Sequence, residues 1–192
     1  MDNPLMILLF AAIVNNFTLT LFLGICAFIG VSSRIDTALR MGAADTFVLV
    51  LTAVAVWFLN RFVLVGAPYL RIIAFIVVIA GLVQIVEMII KKASPTLFRE
   101  LGIYLPLITT NCAILALAVM QTGRGYSLLQ GVCFGLGAGI GLTLALVLMA
   151  SIRERLDLST VPDFAKGTAI VLVIAGCLSL AFMGFGGLFT AA

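Results

Sequence analysis

Hydrophobic residues along the chain form six long runs, separated by short polar breaks. The runs cover roughly residues 5–29, 38–60, 70–90, 101–121, 128–151 and 167–190. A helix needs about 20 apolar residues to cross the roughly 30 Å hydrocarbon core of a membrane, and each run has that length. The breaks contain charged residues, glycine or proline, as between Arg61 and Pro68. The pattern therefore predicts an all-α membrane protein with six transmembrane helices.

Composition supports this interpretation and excludes several classes of protein. Of the 192 residues, 64% are hydrophobic and 10% are charged, whereas soluble domains are about half apolar and about a quarter charged. The net charge of +3 is too small to suggest nucleic-acid binding. The chain has no histidine, which excludes bis-His haem ligation and the usual proton relay. We therefore expect a single transmembrane domain over residues 1–192.

Positive charges are distributed unevenly among the loops. The first, third and fifth loops contain Arg34, Arg40, Lys91, Lys92, Arg99, Arg153, Arg155 and Lys166. The other two loops and the termini contain only Arg61, Arg71 and Arg124. Because cytoplasmic loops are enriched in Lys and Arg, the odd-numbered loops are predicted to be cytoplasmic and both termini to lie outside.

The two halves of the sequence match when one is shifted by about 95 residues. The matches include Asn16 with Asn111, Gly42 with Gly137, and residues 78–81 with residues 173–176. This divides the chain into a first repeat over residues 1–95 and a second over residues 96–192. Three spans in each repeat reverse its direction, so the repeats are inverted. Inverted repeats in transport proteins place their sites near the midplane, where the repeats meet.

The first span of each repeat contains polar residues in the middle of the membrane. Span one contains Asn15, Asn16, Thr18, Thr20, Gly24 and Cys26, and span four contains Pro106, Thr109, Thr110, Asn111 and Cys112. Such residues are costly in lipid without partners, and they either form a site or hold helices together. Span one is also longer than a crossing requires. We therefore expect breaks in helices 1 and 4, at positions such as Gly24 and Pro106.

Cys112 lies about 11 residues into its span, which is about 16 Å along a helix and near the midplane. A straight helix would put Cys26 nearer the cytoplasmic face, so a site shared by both cysteines requires the expected break. Iron–sulfur clusters usually take four cysteine ligands. If Cys26 and Cys112 bind iron, a homodimer or a paralogous partner must supply the others. Simple packing is the alternative for any cysteine, and we expect it for Cys133 and Cys177.

Three further features have competing interpretations. The glycine-rich stretch of span five, at Gly135, Gly137, Gly139 and Gly141, predicts close helix packing and is not a dinucleotide fingerprint. Glu87 precedes Lys91 by four residues, which predicts an ion pair at a helix end, with an ion-coupling carboxylate as the alternative. Asp45, near the start of span two, is a second candidate for an ion-coupling carboxylate.

Several segments resemble one membrane component, designated A, of the Rnf electron-transport complexes. They are Val14 to Phe17, Phe22 to Cys26, Gly30 to Ser32, Leu105 to Ala113, Ile152 to Arg155, Val161-Pro162 and Ala181 to Phe185. The resemblance extends over essentially the whole chain. It implies a bacterial inner-membrane complex that couples electron transfer between ferredoxin and NAD to the movement of Na⁺ or H⁺.

The same resemblance implies a cofactor and partners. A paralogous protein, similar to the Rnf component designated E and opposite in orientation, would share a [2Fe–2S] cluster held here by Cys26 and Cys112. A single iron is the alternative. Asn111, Thr110, Asn16 and Gly24 would lie around the cluster, and the Rnf components B, C, D and G would complete the assembly. The E component of the Na⁺-translocating NADH:quinone reductase is similar in fold and cysteine placement, and is an alternative identity.

Two other classes of function are compatible with the pattern. A stand-alone secondary transporter or channel would also use inverted repeats and polar residues at the midplane. A purely structural assembly protein would tolerate changes at both cysteines. The sequence assigns neither the transported ion nor the direction of electron flow.

Overall fold

A computed structural model describes residues 4–14, 16–32, 34–62, 68–93, 107–108, 110–157 and 167–190. Within these residues the chain forms eight α-helices. They are α1 (Pro4–Leu9), α2 (Phe17–Thr20), α3 (Ile25–Val31), α4 (Ile35–Phe62), α5 (Arg71–Ala93), α6 (Cys112–Gly123), α7 (Leu128–Asp157) and α8 (Thr168–Thr190). A π-helical segment (Phe10–Val14) continues α1, and a 3₁₀ turn (Pro68–Leu70) precedes α5.

Three of these helices are long and apolar enough to cross a membrane. They cover Ile35–Phe62, Arg71–Ile89 and Leu128–Leu156, and they coincide with the predicted spans two, three and five. Shorter apolar helices occupy Pro4–Val14, Cys112–Gly123 and Thr168–Gly184. Large apolar side chains on α5 and α8 are exposed, including Val77 at 64% and Leu180 at 72%. Exposed apolar faces of this kind suit lipid, so the prediction of an all-helical membrane protein is confirmed.

The centre of the fold is the crossing of α4 and α7. Thr46 donates its hydroxyl to the Gly42 carbonyl of its own helix, and Thr143 donates to the Gly139 carbonyl in the same way. Each threonine faces the glycine of the other helix. A methyl group at Gly42 would lie 2.5 Å from Thr143 Oγ1, and one at Gly139 would lie 2.5 Å from Thr46 Cγ2. Glycine at both positions therefore allows the two backbones to approach closely.

The other glycines of α7 accommodate the first hydrophobic run. A methyl group at Gly137 would lie 2.5 Å from the Leu8 carbonyl oxygen, and one at Gly141 would lie 2.8 Å from that of Ala12. Gly135 approaches the Leu49 carbonyl of α4 similarly. The prediction that this glycine-rich stretch serves close packing is confirmed.

The first hydrophobic run is not one continuous helix. It is interrupted at Asn16, which directly precedes α2, and again before α3, where Gly24 adopts φ +80°. The break expected in helix 1 is therefore present. In the fourth run, Asn111 directly precedes α6 and separates it from the helical residues 107–108. Asn15, Pro106 and Thr109, named with these breaks, lie outside the described residues.

Candidate metal centre

Two asparagines begin the helices that follow the breaks. Asn16 precedes α2 with φ −67° and ψ 111°, and its Oδ1 accepts a hydrogen bond from the Thr18 backbone N–H at 3.1 Å. Asn111 precedes α6 with φ −69° and ψ 115°, and its Oδ1 accepts from the Ala113 N–H, also at 3.1 Å. Asparagine is a favoured N-cap because its side chain satisfies an otherwise unpaired helix N–H. The two asparagines that the sequence comparison pairs thus have the same local structure.

The remaining hydrogen bonds of the two caps differ in chemistry. Asn16 Nδ2 donates to the Gly141 carbonyl oxygen at 2.7 Å. Asn111 Nδ2 instead points at a carboxyl group, Asp45 Oδ2, at 3.4 Å. Asp45 is fully buried in α4, and its Oδ1 has no hydrogen-bond partner among the described residues. The cap at Asn111 is therefore the one that adjoins a buried ionisable group.

The break in the first run brings the two predicted cysteine segments together. Cys112 is the first residue of α6, and its Sγ accepts a hydrogen bond from the Gly24 backbone N–H at 2.9 Å. A methyl group at Gly24 would lie 3.0 Å from Asn111 Oδ1. Cys26 follows Gly24 by two residues, in the first turn of α3. The segment of Cys26 therefore lies beside Cys112, as a shared site requires.

The thiols of this site suit half of a thiolate-bound metal centre. Cys26 is exposed and Cys112 is half-buried, and both are free. Cys112 is the first residue of a 12-residue helix, and cysteine is a common ligand of iron–sulfur clusters. The part of the chain that the structure describes contains no group of three or more His, Cys, Asp or Glu arranged to hold a metal.

The other predicted residues have different surroundings. Thr110 is exposed beside Asn111, whereas Asn16 caps α2 and bonds to α7. Cys133 is half-buried in α7, and Cys177 is exposed in α8. Glu87 is half-buried near the end of α5, and its pairing with Lys91 stays a prediction. Of the two carboxylates considered for ion coupling, Asp45 is the one bonded to the cap beside Cys112.

Sequence reasoning missed two charged residues that fix the connection between α3 and α4. Arg153 Nη1 donates to the Ile29 carbonyl at 3.1 Å and to Ser32 Oγ at 3.0 Å. Glu154 Oε1 accepts from the Ile35 N–H at 3.1 Å, at the start of α4. In the sequence, the two residues stand out only as loop charge or as part of a resemblance. A pair of opposite charges directly after a long apolar run was the available signal.

These features define a class of protein: a helical integral membrane protein with interrupted helices and two free thiols at the interruptions. Comparison with known proteins identifies the family. Residues 5–189 match the family described as "Rnf-Nqr subunit, membrane protein". The chain belongs to this Rnf-Nqr family, and the resemblance seen in the sequence is confirmed.

Similar proteins align along almost the entire chain. One from Syntrophotalea carbinolica is 55% identical over 190 residues, which are 98% of each chain. Others from Azoarcus sp. and Edwardsiella ictaluri are 51% and 50% identical over the same share of both chains. All three are named as the A component of an "Ion-translocating oxidoreductase complex". By name, these relatives are thus components of a redox-driven translocase.

Proposed function

We propose that this chain is a membrane component of an Rnf-type ion-translocating oxidoreductase complex and carries electrons through the membrane by way of a shared iron–sulfur centre. Cys26 and Cys112 would hold one side of a [2Fe–2S] cluster. A paralogous protein in the opposite orientation would hold the other side. The names of the relatives support the Rnf-type complex over the NADH:quinone reductase alternative.

The observation that carries this proposal is the hydrogen bond from the Gly24 N–H to Cys112 Sγ. It joins two segments 88 residues apart in the chain, each with a cysteine at or within two residues of the contact. Hydrogen bonds to sulfur are among the factors that set the potential of iron–sulfur clusters. A main-chain N–H aimed at a ligand sulfur is therefore suited to a redox centre.

The ligand count supports a partner protein. The chain supplies two thiols at this place, whereas iron–sulfur clusters of this kind usually have four cysteine ligands. Cys26 is exposed, so a second chain can approach it. A paralogue with the same pair of cysteines, related by an approximate twofold axis, would complete the set. With those ligands, a site that has only two thiols in this chain would be able to bind iron.

The proposal includes the topology of the chain. Six crossings, in two inverted repeats with both termini outside, would put the asparagine caps of the two halves on opposite sides of the midplane. The matching cap geometry of Asn16 and Asn111 supports the repeats. The reciprocal packing of glycine and threonine between α4 and α7 also supports them, because each half contributes the same pair of residue types.

Each residue of the site would have a distinct task. A bound cluster supplies a one-electron carrier in the interior of the membrane. Cys26 and Cys112 would ligate it, and Gly24 would donate its N–H to the ligand sulfur. Asn111 fixes the start of α6, and with it the position of Cys112. We further propose that electron transfer is coupled to Na⁺ or H⁺ movement and that Asp45 takes part in it. Asp45 is the ionisable group hydrogen-bonded to Asn111 at the start of α6, and such groups inside membranes commonly mark ion pathways.

Serine substitutions of the cysteines test the proposal. Cys26→Ser and Cys112→Ser should each abolish the iron–sulfur EPR signal of the assembled complex, with loss of electron transfer. Cys133→Ser is the matched control, because Cys133 is a half-buried cysteine of α7 that has no role in the proposed site. It should retain iron content and activity. Intact iron content and electron transfer in both Cys26→Ser and Cys112→Ser would refute the cluster role.

The same variants separate the rival functions. A structural assembly protein predicts that complexes with Cys26→Ser or Cys112→Ser keep full activity. A secondary transporter predicts ion transport by the isolated chain in liposomes without iron or redox partners. The redox function predicts the opposite result in both assays.

A further inference from the structure

The short helix α3, which contains Cys26, is held at its carboxyl-terminal end by a side chain of α7. The last four carbonyls of a helix have no partner within it, and unpaired carbonyls are costly within a membrane. One of these in α3, the carbonyl of Ile29, accepts a hydrogen bond from Arg153 Nη1 at 3.1 Å. The same nitrogen donates to Oγ of the fully buried Ser32, directly after α3, at 3.0 Å. One guanidinium nitrogen therefore closes the end of this helix.

The amino-terminal end of α3 is held by a different part of the molecule. Gly24 directly precedes the helix, and its N–H donates to the sulfur of Cys112, at the start of α6. The Gly24 carbonyl accepts the N–H of Phe28 at 3.1 Å, in the first turn of α3. The seven residues of α3 are thus attached to α6 at one end and to α7 at the other. Cys26 lies between the two attachments.

The residue after Arg153 attaches the next helix to the same end of α7. Glu154 Oε1 accepts the Ile35 N–H at 3.1 Å, at the start of α4. Basic side chains commonly bind the last carbonyls of a helix, and acidic side chains are favourable at a helix start. Arg153 and Glu154 follow this rule at two successive helix ends. The pair therefore fixes the turn between α3 and α4 to α7.

The attachment at Ile29 is close to the cysteine of α3. Cys26 precedes Ile29 by three residues, which is about 4.5 Å along a helix. A helix transmits a shift of one end to the other over so short a distance. Cys112 is placed separately, because the start of α6 is capped by Asn111. Loss of the Arg153 hydrogen bonds would therefore move Cys26 relative to Cys112.

We propose that Arg153 is a positioning residue for the cluster: by holding the end of α3, it sets the place of the Cys26 thiol relative to Cys112. This role rests on the proposed function, because it concerns the ligands of the same iron–sulfur centre. Arg153 acts through α3 and is not itself a ligand. Residues that orient metal ligands in this indirect way commonly contribute about 10–100-fold to metal affinity.

Purified complexes with Arg153→Gln test this role through the cluster itself. The EPR spectrum and the midpoint potential of the cluster should shift from those of the wild type, because both depend on the surroundings of the ligand sulfurs. A chelator should remove the iron about tenfold faster, as the weaker metal affinity predicts. Arg153→Lys keeps the charge and a donor, and should recover part of both effects. Ser32→Ala removes one of the two acceptors and should produce a smaller effect in the same direction.

Arg155→Gln is the matched control. Arg155 has the same charge and lies two residues further along α7, but it is exposed. Its substitution should leave the EPR spectrum, the potential and the rate of iron loss unchanged. Equal effects of Arg153→Gln and Arg155→Gln would overturn the proposal, because a general effect of charge would then be sufficient. A wild-type EPR spectrum and rate of iron loss in Arg153→Gln would also overturn it, even in a less stable complex.

The cysteine variants separate failure of this role from failure of the proposed function. Loss of the iron–sulfur signal in Cys26→Ser and Cys112→Ser, with wild-type behaviour of Arg153→Gln, would refute only the positioning role. Retention of the signal in both cysteine variants would refute the proposed function and this role with it. If Arg153→Gln does not assemble, Arg153→Lys and Ser32→Ala decide the question, because each keeps part of the contact. Unchanged spectra and rates of iron loss in both would overturn the role.

Discussion

Gly24 lies at the break in the first run, and its N–H donates to Cys112 at the break in the fourth run. Gly24→Ala tests how much this position contributes to stability. Gly24 has φ +80°, in the left-handed region, which costs about 1–2 kcal/mol for a residue with a side chain. The new methyl group would also lie 3.0 Å from Asn111 Oδ1, so that oxygen would have to move by a few tenths of an ångström. Because the same oxygen caps α6, its displacement adds the loss of an N-cap, about 0.5–2 kcal/mol.

Gly125→Ala is the matched control for this change. Gly125 also has a left-handed backbone, with φ +63°, but nothing lies within 4 Å of a methyl group built there. It should therefore lose only the backbone part, about 1–2 kcal/mol, whereas Gly24→Ala should lose about 1.5–4 kcal/mol. Unfolding in a detergent titration measures both losses. Gly24→Ala should in addition lower the iron–sulfur signal of the complex, and Gly125→Ala should not.

The comparison has a clear negative result. If Gly24→Ala and Gly125→Ala reduce stability equally, the contact between Gly24 and Asn111 contributes nothing beyond the backbone conformation. If the iron–sulfur signals of the two variants are also the same, the break at Gly24 does not position Cys112. Either result would remove the physical link between the first break and the proposed cluster.

Two further changes test the packing of the fold. Gly42→Ala should destabilise the chain because its methyl group would collide with Thr143. Gly81→Ala is the control: its methyl group meets nothing within 4 Å, and the change should stabilise the helix interior by about 0.5–1 kcal/mol. A detergent unfolding titration should separate the two variants, and an unchanged stability of Gly42→Ala would contradict the close crossing of α4 and α7. Asp45→Ala leaves the buried Asn111 Nδ2 without its acceptor, which should cost about 1–3 kcal/mol, less the burial cost of the carboxyl group that the change removes. Asp45→Asn keeps an acceptor oxygen and should cost less, so equal losses in the same titration would show that this hydrogen bond does not stabilise the fold.

Local composition was sufficient to predict the parts of the fold that depend on one segment at a time. Apolar runs predicted the long helices α4, α5 and α7, because length and hydropathy are properties of a single stretch. The excess length of the first run, together with Gly24, predicted a break. The close spacing of glycines in α7 predicted tight packing, because a surface of glycines lets the backbones of two helices approach closely.

Contacts between segments were much harder to predict. A shift of 95 residues paired Gly42 with Gly137. In the structure Gly42 faces Thr143, and the glycine that makes the corresponding contact, with Thr46, is Gly139. The offset at this crossing is 97 residues, so a comparison without gaps fails where the two halves differ in length. The sequence likewise offered Asp45 and Glu87 as equal candidates for an ion-coupling carboxylate. Only the packing of α4 against α6 distinguishes them, by bringing Asp45 to Asn111.

The two asparagine caps allow the role of Asp45 to be argued from within the molecule. The cap at Asn16 is completed by the main-chain carbonyl of Gly141, without any ionisable group. The fold can therefore satisfy such a cap at no electrostatic cost. At Asn111 the acceptor is a fully buried carboxyl group, one of whose oxygens has no partner among the described residues. Burying a carboxyl group is expensive, so helix capping alone does not account for Asp45. The cap with the carboxyl group is also the one followed by a cysteine, which associates that cost with the proposed redox site.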